Sequence, residues 1–397
     1  MPESGARHPG APFSLLAAAG ILLAAANLRP ALTSVSALLT LIGVQLDLSA
    51  AALGALTTLP VLCLGLSAPL APLLVRRIGQ ERSVVWLLAL LVVVLLLRPY
   101  TGVAGFFVGT ALAGCAMGAL GVLLPALVKR DFPSSVSLMT GLYTMVLSLG
   151  AAAAAGATEP LRLALGQSWQ AALAFWLLPA GGAVLAWWPR SRRAAQPPTR
   201  HGRAATSLLR DPLAWQVTFF MGLQSALAYI MLGWLPAILA DRGLSAVAAG
   251  AALSAAIVVS MASAVAAPWA STRMRDQRVM NVVSVVLFLT GLVGCIHAPL
   301  ATLWLWVSVM GLGMGAAFAM ALTLIALRAS DIESSGRMSA MAQGFGYVLA
   351  ALGPLTVGLL RDATGGWGAT GILLAVIGVS AIGSGLAAGR NRMLVVR

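Results

Sequence analysis

Arg29 is the residue with the clearest chemical potential, because it stands near the middle of a long apolar stretch. A guanidinium at the centre of a membrane-spanning helix costs about 2.5–3.5 kcal/mol on insertion scales, so it is expected to face a water-filled cavity. Thr33, Ser36 and Thr40 follow on the same helical face, and Asn27 lies two residues before it. The pattern predicts a polar binding stripe. The alternative is a structural arginine that bonds to carbonyl groups of a neighbouring helix.

The acidic residues are informative because none of them lies in the middle of an apolar stretch. All eleven fall in predicted loops or at helix ends: Glu3, Asp47, Glu81, Asp131, Glu159, Asp211, Asp241, Asp276, Asp331, Glu333 and Asp362. Arg29 therefore has no carboxylate at its own depth, and an unpaired buried cation is costly. A bound anion would balance it, since arginine suits bidentate contact with carboxylate-like groups. We expect an anionic solute, and Glu159 is the nearest candidate for proton coupling.

Few other polar side chains lie at the depth of Arg29. Glutamine is disfavoured against lipid, so Gln224 and Gln343 are expected to face a cavity or another helix, with bonding between helices as the alternative role. The predicted solute site consists of Asn27, Arg29, Thr33, Tyr143, Gln224, Gln343 and Tyr347. Tyr229 and Trp234 fit either a cavity or the membrane interface, and the position of Trp234 near a helix end favours the interface.

A second group of charged residues lies in short loops between the apolar stretches. Asp131 is placed to pair with Arg76 or Arg77, and Asp331 with Arg273 or the arginine two residues after it. Such pairs would break and re-form as the two halves of a carrier move, so these residues form a predicted charge latch. Loop charges that only set the membrane topology are the alternative.

The composition is that of a membrane protein. Of the 397 residues, 60% are hydrophobic and 9% are charged, whereas soluble domains are about 45–50% apolar and about 25% charged. Since a span needs roughly 20 apolar residues, the candidate spans lie near residues 13–42, 50–75, 83–97, 102–128, 137–158, 169–189, 213–240, 245–270, 279–297, 300–327, 338–360 and 367–388. The sequence predicts an all-α membrane protein with twelve transmembrane helices. The three cysteines form no CxxC motif and the three histidines do not cluster, so no metal site and no cofactor are predicted.

Lysine and arginine are distributed unequally between the predicted loops. Twenty of the 25 fall on one side of the membrane, Arg29 falls within a span, and the other side holds Arg98, Arg162, Arg242 and Arg361. Because positive residues concentrate on the cytoplasmic side, both termini are predicted to be cytoplasmic in a bacterial inner membrane. The same rule explains the net charge of +14 without a nucleic-acid partner.

The two halves of the sequence repeat each other. Arg77 and Arg82 after the second span match Arg273 and Arg278 after the eighth, both at an offset of 196 residues, and other matches have similar offsets. This indicates duplication and predicts two pseudo-symmetric six-helix bundles, over residues 1–189 and 212–397, joined by a basic linker over 190–211. The arrangement resembles the repeat plan of the major facilitator superfamily, with the solute site between the halves.

Several segments are similar to one family within that superfamily. ANLRPALTS (26–34) and LLPALVKRDFP (123–133) resemble the cyanate and 2-nitroimidazole transporters, and the similarity extends through TGLY (140–143), GLQSALAY (222–229), ALTLIALR (321–328) and QGFGY (343–347). The resemblance covers nearly the whole chain. It implies a rocker-switch carrier for small anions or small polar molecules, in which Asn27 and Arg29 match the first-helix motif and Gln224 and Gln343 match polar positions of the second half.

The combined expectation is a secondary active transporter, not an enzyme, that moves a small anionic solute by alternating access. We expect a monomer in the lipid bilayer, with protons or a counter-anion as further partners. The alternative is a multidrug or small-polar-molecule exporter of the same fold, whose broad ligand preference would survive the loss of Arg29.

Overall fold

The computed structural model describes residues 15–67, 70–192, 208–329 and 332–394. All regular secondary structure within these ranges is helical. The helices are α1 (Leu15–Ala26), α2 (Pro30–Ala37), α3 (Leu39–Gln45), α4 (Ala50–Leu66), α5 (Leu70–Ile78), α6 (Gln80–Leu97), α7 (Gly102–Asp131), α8 (Val136–Ala164), α9 (Trp169–Ala174), α10 (Leu177–Ser191), α11 (Pro212–Asp241), α12 (Ala246–Ser271), α13 (Arg278–His297), α14 (Leu303–Arg328), α15 (Ile332–Thr364) and α16 (Gly368–Ala388). Short 3-10 turns occupy Arg98–Tyr100, Leu208–Arg210 and Leu300–Thr302.

Eleven helical segments in the described ranges are long and apolar enough to cross a membrane. The helices α4 and α5 are bent by 59° relative to each other, and together they supply a twelfth span. Apolar side chains such as Leu185 and Val265 are exposed on the surface of the bundle, as expected where lipid replaces water. The predicted all-α fold with twelve spans is confirmed. Most of the predicted linker, residues 193–207, lies outside the described ranges.

The first span is interrupted at Arg29. Helix α1 ends at Ala26, and α2 begins at Pro30 with Arg29 as its N-cap residue. Proline has no N–H, so the carbonyl of Ala26 loses its normal helical partner. Gly150 of α8 packs against that carbonyl, and a side chain at this glycine would collide with it. The break is therefore accommodated by a neighbouring helix of the same half.

The first six and the last six spans meet along two helix pairs. Helix α4 packs along α15, and α8 packs along α12. Gly54 and Gly358 let the backbones of α4 and α15 approach closely, and Gly250 lets α12 rest on the carbonyl of Ala155 in α8. Small residues at such crossings allow two helices to pack and slide without interlocked side chains.

Several side-chain hydrogen bonds join the two halves at one end of the bundle. The carboxylate of Asp362 accepts the backbone N–H groups of Ala50 and Ala51 at 2.8 and 2.7 Å. The hydroxyl of Ser36 donates to the carbonyl of Gly233 at 3.0 Å, and Thr58 bonds across the halves at 2.9 Å. We call this the closed end. The opposite end, where α4–α5, α7, α10 and α14 terminate in arginines, is called the basic end.

Candidate functional site

Arg29 lies half-buried at the break between α1 and α2. Its guanidinium carbon is 5.9 Å from the centre of the Tyr229 ring, which belongs to α11 of the second half. Within the part of the chain that the structure describes, this guanidinium makes no hydrogen bond and no ion pair. Arg29 therefore stands at the junction of the two halves with its donor groups unused.

Three of the four tyrosines in the sequence surround Arg29. Its guanidinium lies within electrostatic range of Tyr143 in α8, Tyr229 in α11 and Tyr347 in α15. The rings of Tyr229 and Tyr347 lie edge to face, with centroids 6.0 Å apart and planes at 83°. Among the predicted site residues, the structure thus brings Arg29, Tyr143 and Tyr347 together, and both halves contribute to the cluster.

The other two predicted residues of the first span hold the helix break. The buried amide nitrogen of Asn27 donates to the carbonyls of Leu23 at 2.7 Å and of Pro179 in α10 at 3.2 Å. The hydroxyl of Thr33 donates to the carbonyl of Arg29 itself at 3.3 Å. These contacts fix the backbone that carries Arg29, and a direct role of Asn27 and Thr33 in binding solute stays a prediction.

The two predicted glutamines bond within their own helices. The buried amide nitrogen of Gln224 donates to the carbonyl of Met221 at 3.0 Å and to the hydroxyl of Ser225 at 2.7 Å. Its carbonyl oxygen has no partner among the described residues. Gln343 donates to the hydroxyl of Ser339 at 2.7 Å, one turn of α15 away from Tyr347. Their assignment as solute ligands stays a prediction.

At the basic end, Asp131 has partners other than the predicted ones. It pairs with Arg130 at 2.7 Å and with Arg190 at the end of α10, whereas Arg76 and Arg77 are exposed. All these ion pairs lie within the first half. The predicted pairing of Asp131 is therefore not the one that this conformation contains, because Asp131 pairs with Arg190 of α10 and not with the arginines in the last turn of α5.

The second half of the predicted latch is only partly described. Arg273 lies over the ring of Trp269, 3.5 Å from its centre, and donates weakly to the carbonyl of the same residue. Asp331 lies outside the described residues. The latch as a whole stays a prediction.

Charged and aromatic residues at the closed end form a separate set of contacts. Glu159 pairs with Arg162 through two bonds of 2.8 Å, so this carboxylate is already occupied by its neighbour in α8. Trp234 is buried and donates to the carbonyl of Pro354 at 3.0 Å. The prediction that Trp234 anchors the membrane interface is wrong, because α11 turns this ring towards α15.

Sequence reasoning missed two residues near the break. A single aromatic residue in a span fits both a cavity and the interface, so the sequence alone does not place Tyr229. The sequence predicts Arg98 as a loop charge, but it is only 1% exposed and donates to the carbonyl of Ala31 at 2.9 Å. Its place directly after an eighteen-residue apolar helix gave no signal of burial.

The arrangement can bind and orient but offers little for covalent chemistry. A guanidinium has five N–H donors in a planar fork, which match the oxygens of an anion. The neighbouring phenol rings supply apolar faces and hydroxyl groups.

Comparisons with known proteins agree with the fold. The profile of the Major Facilitator Superfamily matches residues 14–354. The chain is 37% identical over 378 residues to the 2-nitroimidazole transporter of Escherichia coli (strain K12), covering 94% of this chain and 95% of that protein. It is 30% identical over 351 residues to the cyanate transport protein CynX of the same strain, covering 87% and 90%.

Solved structures agree at the level of the fold. A D-xylose–proton symporter superposes with a TM-score of 0.74 at 14% sequence identity, covering 96% of this chain and 98% of the symporter. Given these matches and the twelve helical spans, the chain belongs to the Major Facilitator Superfamily and, within it, to the family of the cyanate and 2-nitroimidazole transporters.

Proposed function

We propose that this protein is a secondary active transporter that moves a small anionic solute across a bacterial inner membrane by alternating access. The observation that carries the proposal is the state of Arg29, which has no hydrogen bond or ion pair among the described residues and stands among three tyrosines. A charge removed from water needs a compensating partner. An anion that enters the site from solution would provide it.

The named relatives support a small solute with a negative or partly negative end. Cyanate is a small anion, and 2-nitroimidazole presents the two oxygens of a nitro group on a flat ring. The nitro group suits the planar fork of a guanidinium, which matches two adjacent oxygens, and the linear cyanate ion can accept from the same donors through one end. The rings of Tyr229 and Tyr347 would contact the body of the solute.

The distribution of contacts between the halves supports alternating access. At the closed end, Asp362 of α15 caps the N-terminus of α4 in the other half, where a negative charge is favoured by the helix dipole. At the basic end, the ion pairs of Arg130 and Arg190 stay within the first half. Opening of the closed end would break the Asp362 bonds, whereas the pairs at the basic end can move with their own half.

The orientation follows from the positive residues at the basic end, which would face the cytoplasm. The closed end would then face away from the cytoplasm. Glu159 already pairs with Arg162, so it is a poor proton carrier for the site. A proton carried by the solute itself or a counter-anion fits the coupling better.

An exporter of small polar molecules is a second candidate, because one relative is named for 2-nitroimidazole and because phenol rings bind flat uncharged molecules well. The two candidates differ in what they require of Arg29. Transport of an anion depends on the positive charge, whereas packing between the rings of Tyr229 and Tyr347 does not.

Uptake by purified protein in liposomes tests the proposal. We expect Arg29→Gln to lower the uptake of labelled cyanate and 2-nitroimidazole by about a hundredfold, the order expected when hydrogen bonds to a charged group are lost. Arg29→Lys should retain part of the activity. The control is Arg392→Gln, which removes the same charge from an exposed position. Wild-type uptake by Arg29→Gln would contradict the anion proposal, and uptake of only the uncharged compound would favour the exporter.

A further inference from the structure

Arg98 is a buried cation that the transport proposal does not use. It begins the 3-10 turn that follows α6, and its side chain is 1% exposed. Among the described residues, this guanidinium forms no ion pair with an acid, and its Nε has no hydrogen-bond partner. A charge in this position is costly unless its hydrogen bonds serve the surrounding structure.

The partners of Arg98 lie on the first span and on α7. One terminal nitrogen donates to the carbonyl of Ala31 at 2.9 Å, and the other is 3.5 Å from the hydroxyl of Thr110. Its guanidinium carbon lies 5.7 Å from the centre of the Phe106 ring. Gly109 makes room for this side chain, since a Cβ there would come too close to the Cβ of Arg98.

Ala31 is two residues from Arg29, in the first turn of α2. That turn begins at a proline and follows a break of three residues, so the helical hydrogen bonds that would fix its direction are incomplete. Asn27 ties the preceding residues to α10, and Arg98 ties the following ones to the end of α6. The segment that carries Arg29 is thus held from both sides by partners within the first half.

We propose that Arg98 is a positioning residue that fixes the segment of residues 28–33 and thereby aims Arg29 at the tyrosines of both halves. Because Arg98, Ala31 and Arg29 belong to the same half, this brace moves with Arg29 during transport and does not open. The predicted effect of Arg98 on solute binding rests on the proposed function. The predicted effect of Arg98 on the order of residues 28–33 does not.

A purely structural role for Arg98 makes a different prediction. Loss of a buried charged bond between α6 and α2 would then loosen the first half as a whole. A positioning role loosens residues 28–33 and weakens solute binding, while the distant helices of the first half keep their protection.

Hydrogen exchange of the purified full-length protein separates these outcomes without any ligand. In Arg98→Met, we expect the amides of residues 28–35 to exchange about tenfold faster, the order expected for one lost hydrogen bond to a charged group. Arg98→Lys, which can still donate to the carbonyl of Ala31, should restore most of the protection. The matched control is Arg242→Met, which removes a guanidinium that bonds to the carbonyls of Cys295 and Ala298 in the other half.

Unchanged exchange in residues 28–35 of Arg98→Met would overturn the proposal, and so would a uniform increase over α6, α7 and α10.

Binding of 2-nitroimidazole is the second readout. We expect the apparent affinity to fall about tenfold in Arg98→Met but to change little when the same substitution is added to Arg29→Gln, because residues that act through one another are not additive. If the wild type does not bind 2-nitroimidazole while exchange of residues 28–35 still rises in Arg98→Met, the transport proposal fails. The positioning role of Arg98 is then still supported.

Discussion

Arg29 differs from the other buried or half-buried arginines in what its N–H groups contact. Arg98, Arg242 and Arg328 donate to backbone carbonyls at helix breaks or helix ends, and Arg162 pairs with a carboxylate. Among the residues that the structure describes, the guanidinium of Arg29 lies over the Tyr229 ring and donates no hydrogen bond. An arginine whose terminal nitrogens donate to the protein stabilises the fold, and one that donates to no described residue is available for a solute.

The same comparison can be made between the two halves. In the first half Arg130 of α7 donates to the side-chain oxygen of Gln80 at 3.1 Å, and in the second half Arg328 of α14 donates to that of Gln277. The paired positions are 198 and 197 residues apart, as expected from duplication. Arg29 has no arginine counterpart at such offsets, where the second half places Ser225, Ala226 and Leu227. Arg130 and Arg328 are thus a repeated pair, whereas the arginine at the proposed site is not repeated.

The largest expected effect on stability is that of Arg328→Met. This change leaves the carbonyls of Ala388 and Gly389 without their buried donor, which should lower the free energy of unfolding by about 3 kcal/mol. Arg29→Met should leave it within about 0.5 kcal/mol or raise it, because an uncompensated charge is removed. Thermal unfolding in detergent measures both, and equal destabilisation by the two variants would abolish the distinction drawn above.

The next effect concerns the ring beneath Arg29. Tyr229→Ala should weaken solute binding about tenfold, since a partly desolvated cation–π contact contributes about 1–2 kcal/mol. Tyr229→Phe keeps the ring and should stay within about threefold of the wild type. Titration calorimetry with 2-nitroimidazole compares them. An equal loss in the Phe and Ala variants would mean that the hydroxyl, and not the ring, matters.

A smaller effect is expected at the closed end. Asp362→Asn weakens a charge-assisted cap on α4 and should shift the equilibrium towards opening of that end about fivefold, or about 1 kcal/mol. Labelling of a Thr58→Cys variant with a membrane-impermeant maleimide reports the opening. Asp241→Asn is the control, because its partner Arg361 belongs to the same half. Equal labelling of Cys at position 58 in the Asp362→Asn and Asp241→Asn variants would mean that Asp362 does not hold the halves together.

The smallest effects are expected for Gln80→Ala and Gln277→Ala, which sharpen the comparison between the repeated arginines. Gln80 contributes one contact of a part-exposed arginine that also pairs with Glu81 and Asp131, so its loss should cost about 0.5 kcal/mol of stability. Gln277 accepts a hydrogen bond from Arg328, which is 2% exposed, and the loss of Gln277 should lower the free energy of unfolding by about 1 kcal/mol. A reversed order in thermal unfolding would show that burial does not set the difference.

The sequence predicts the bundle well, because span length and apolar composition follow directly from the bilayer. The cost of a charge within a span also marks Arg29 without any structure. The same reasoning cannot find Arg98, since a charge at the end of an apolar stretch normally lies in a loop, and only the packing of α7 shows that its side chain turns inward.

Pairings between spans are equally inaccessible from one sequence. Tyr143, Tyr229 and Tyr347 lie about 90 and 120 residues apart along the chain, and nothing in their local patterns says that they meet at Arg29. Asn27 illustrates the reverse case, in which a polar residue beside the key arginine is engaged with the carbonyls of Leu23 and Pro179.

The most direct test asks whether an anion in solution partners Arg29. Purified wild-type protein is heated with a panel of small anions, including cyanate, selenocyanate, formate and 4-hydroxybenzoate, beside the same series for Arg29→Lys and Arg29→Gln. Binding to the folded state stabilises it by about 2.7 kcal/mol at a hundredfold excess over Kd. We predict that at least one anion stabilises the wild type, that it stabilises Arg29→Lys less, and that it leaves Arg29→Gln unchanged. Equal stabilisation of Arg29→Gln, or no stabilisation of the wild type by any of these anions, would contradict the role assigned to Arg29.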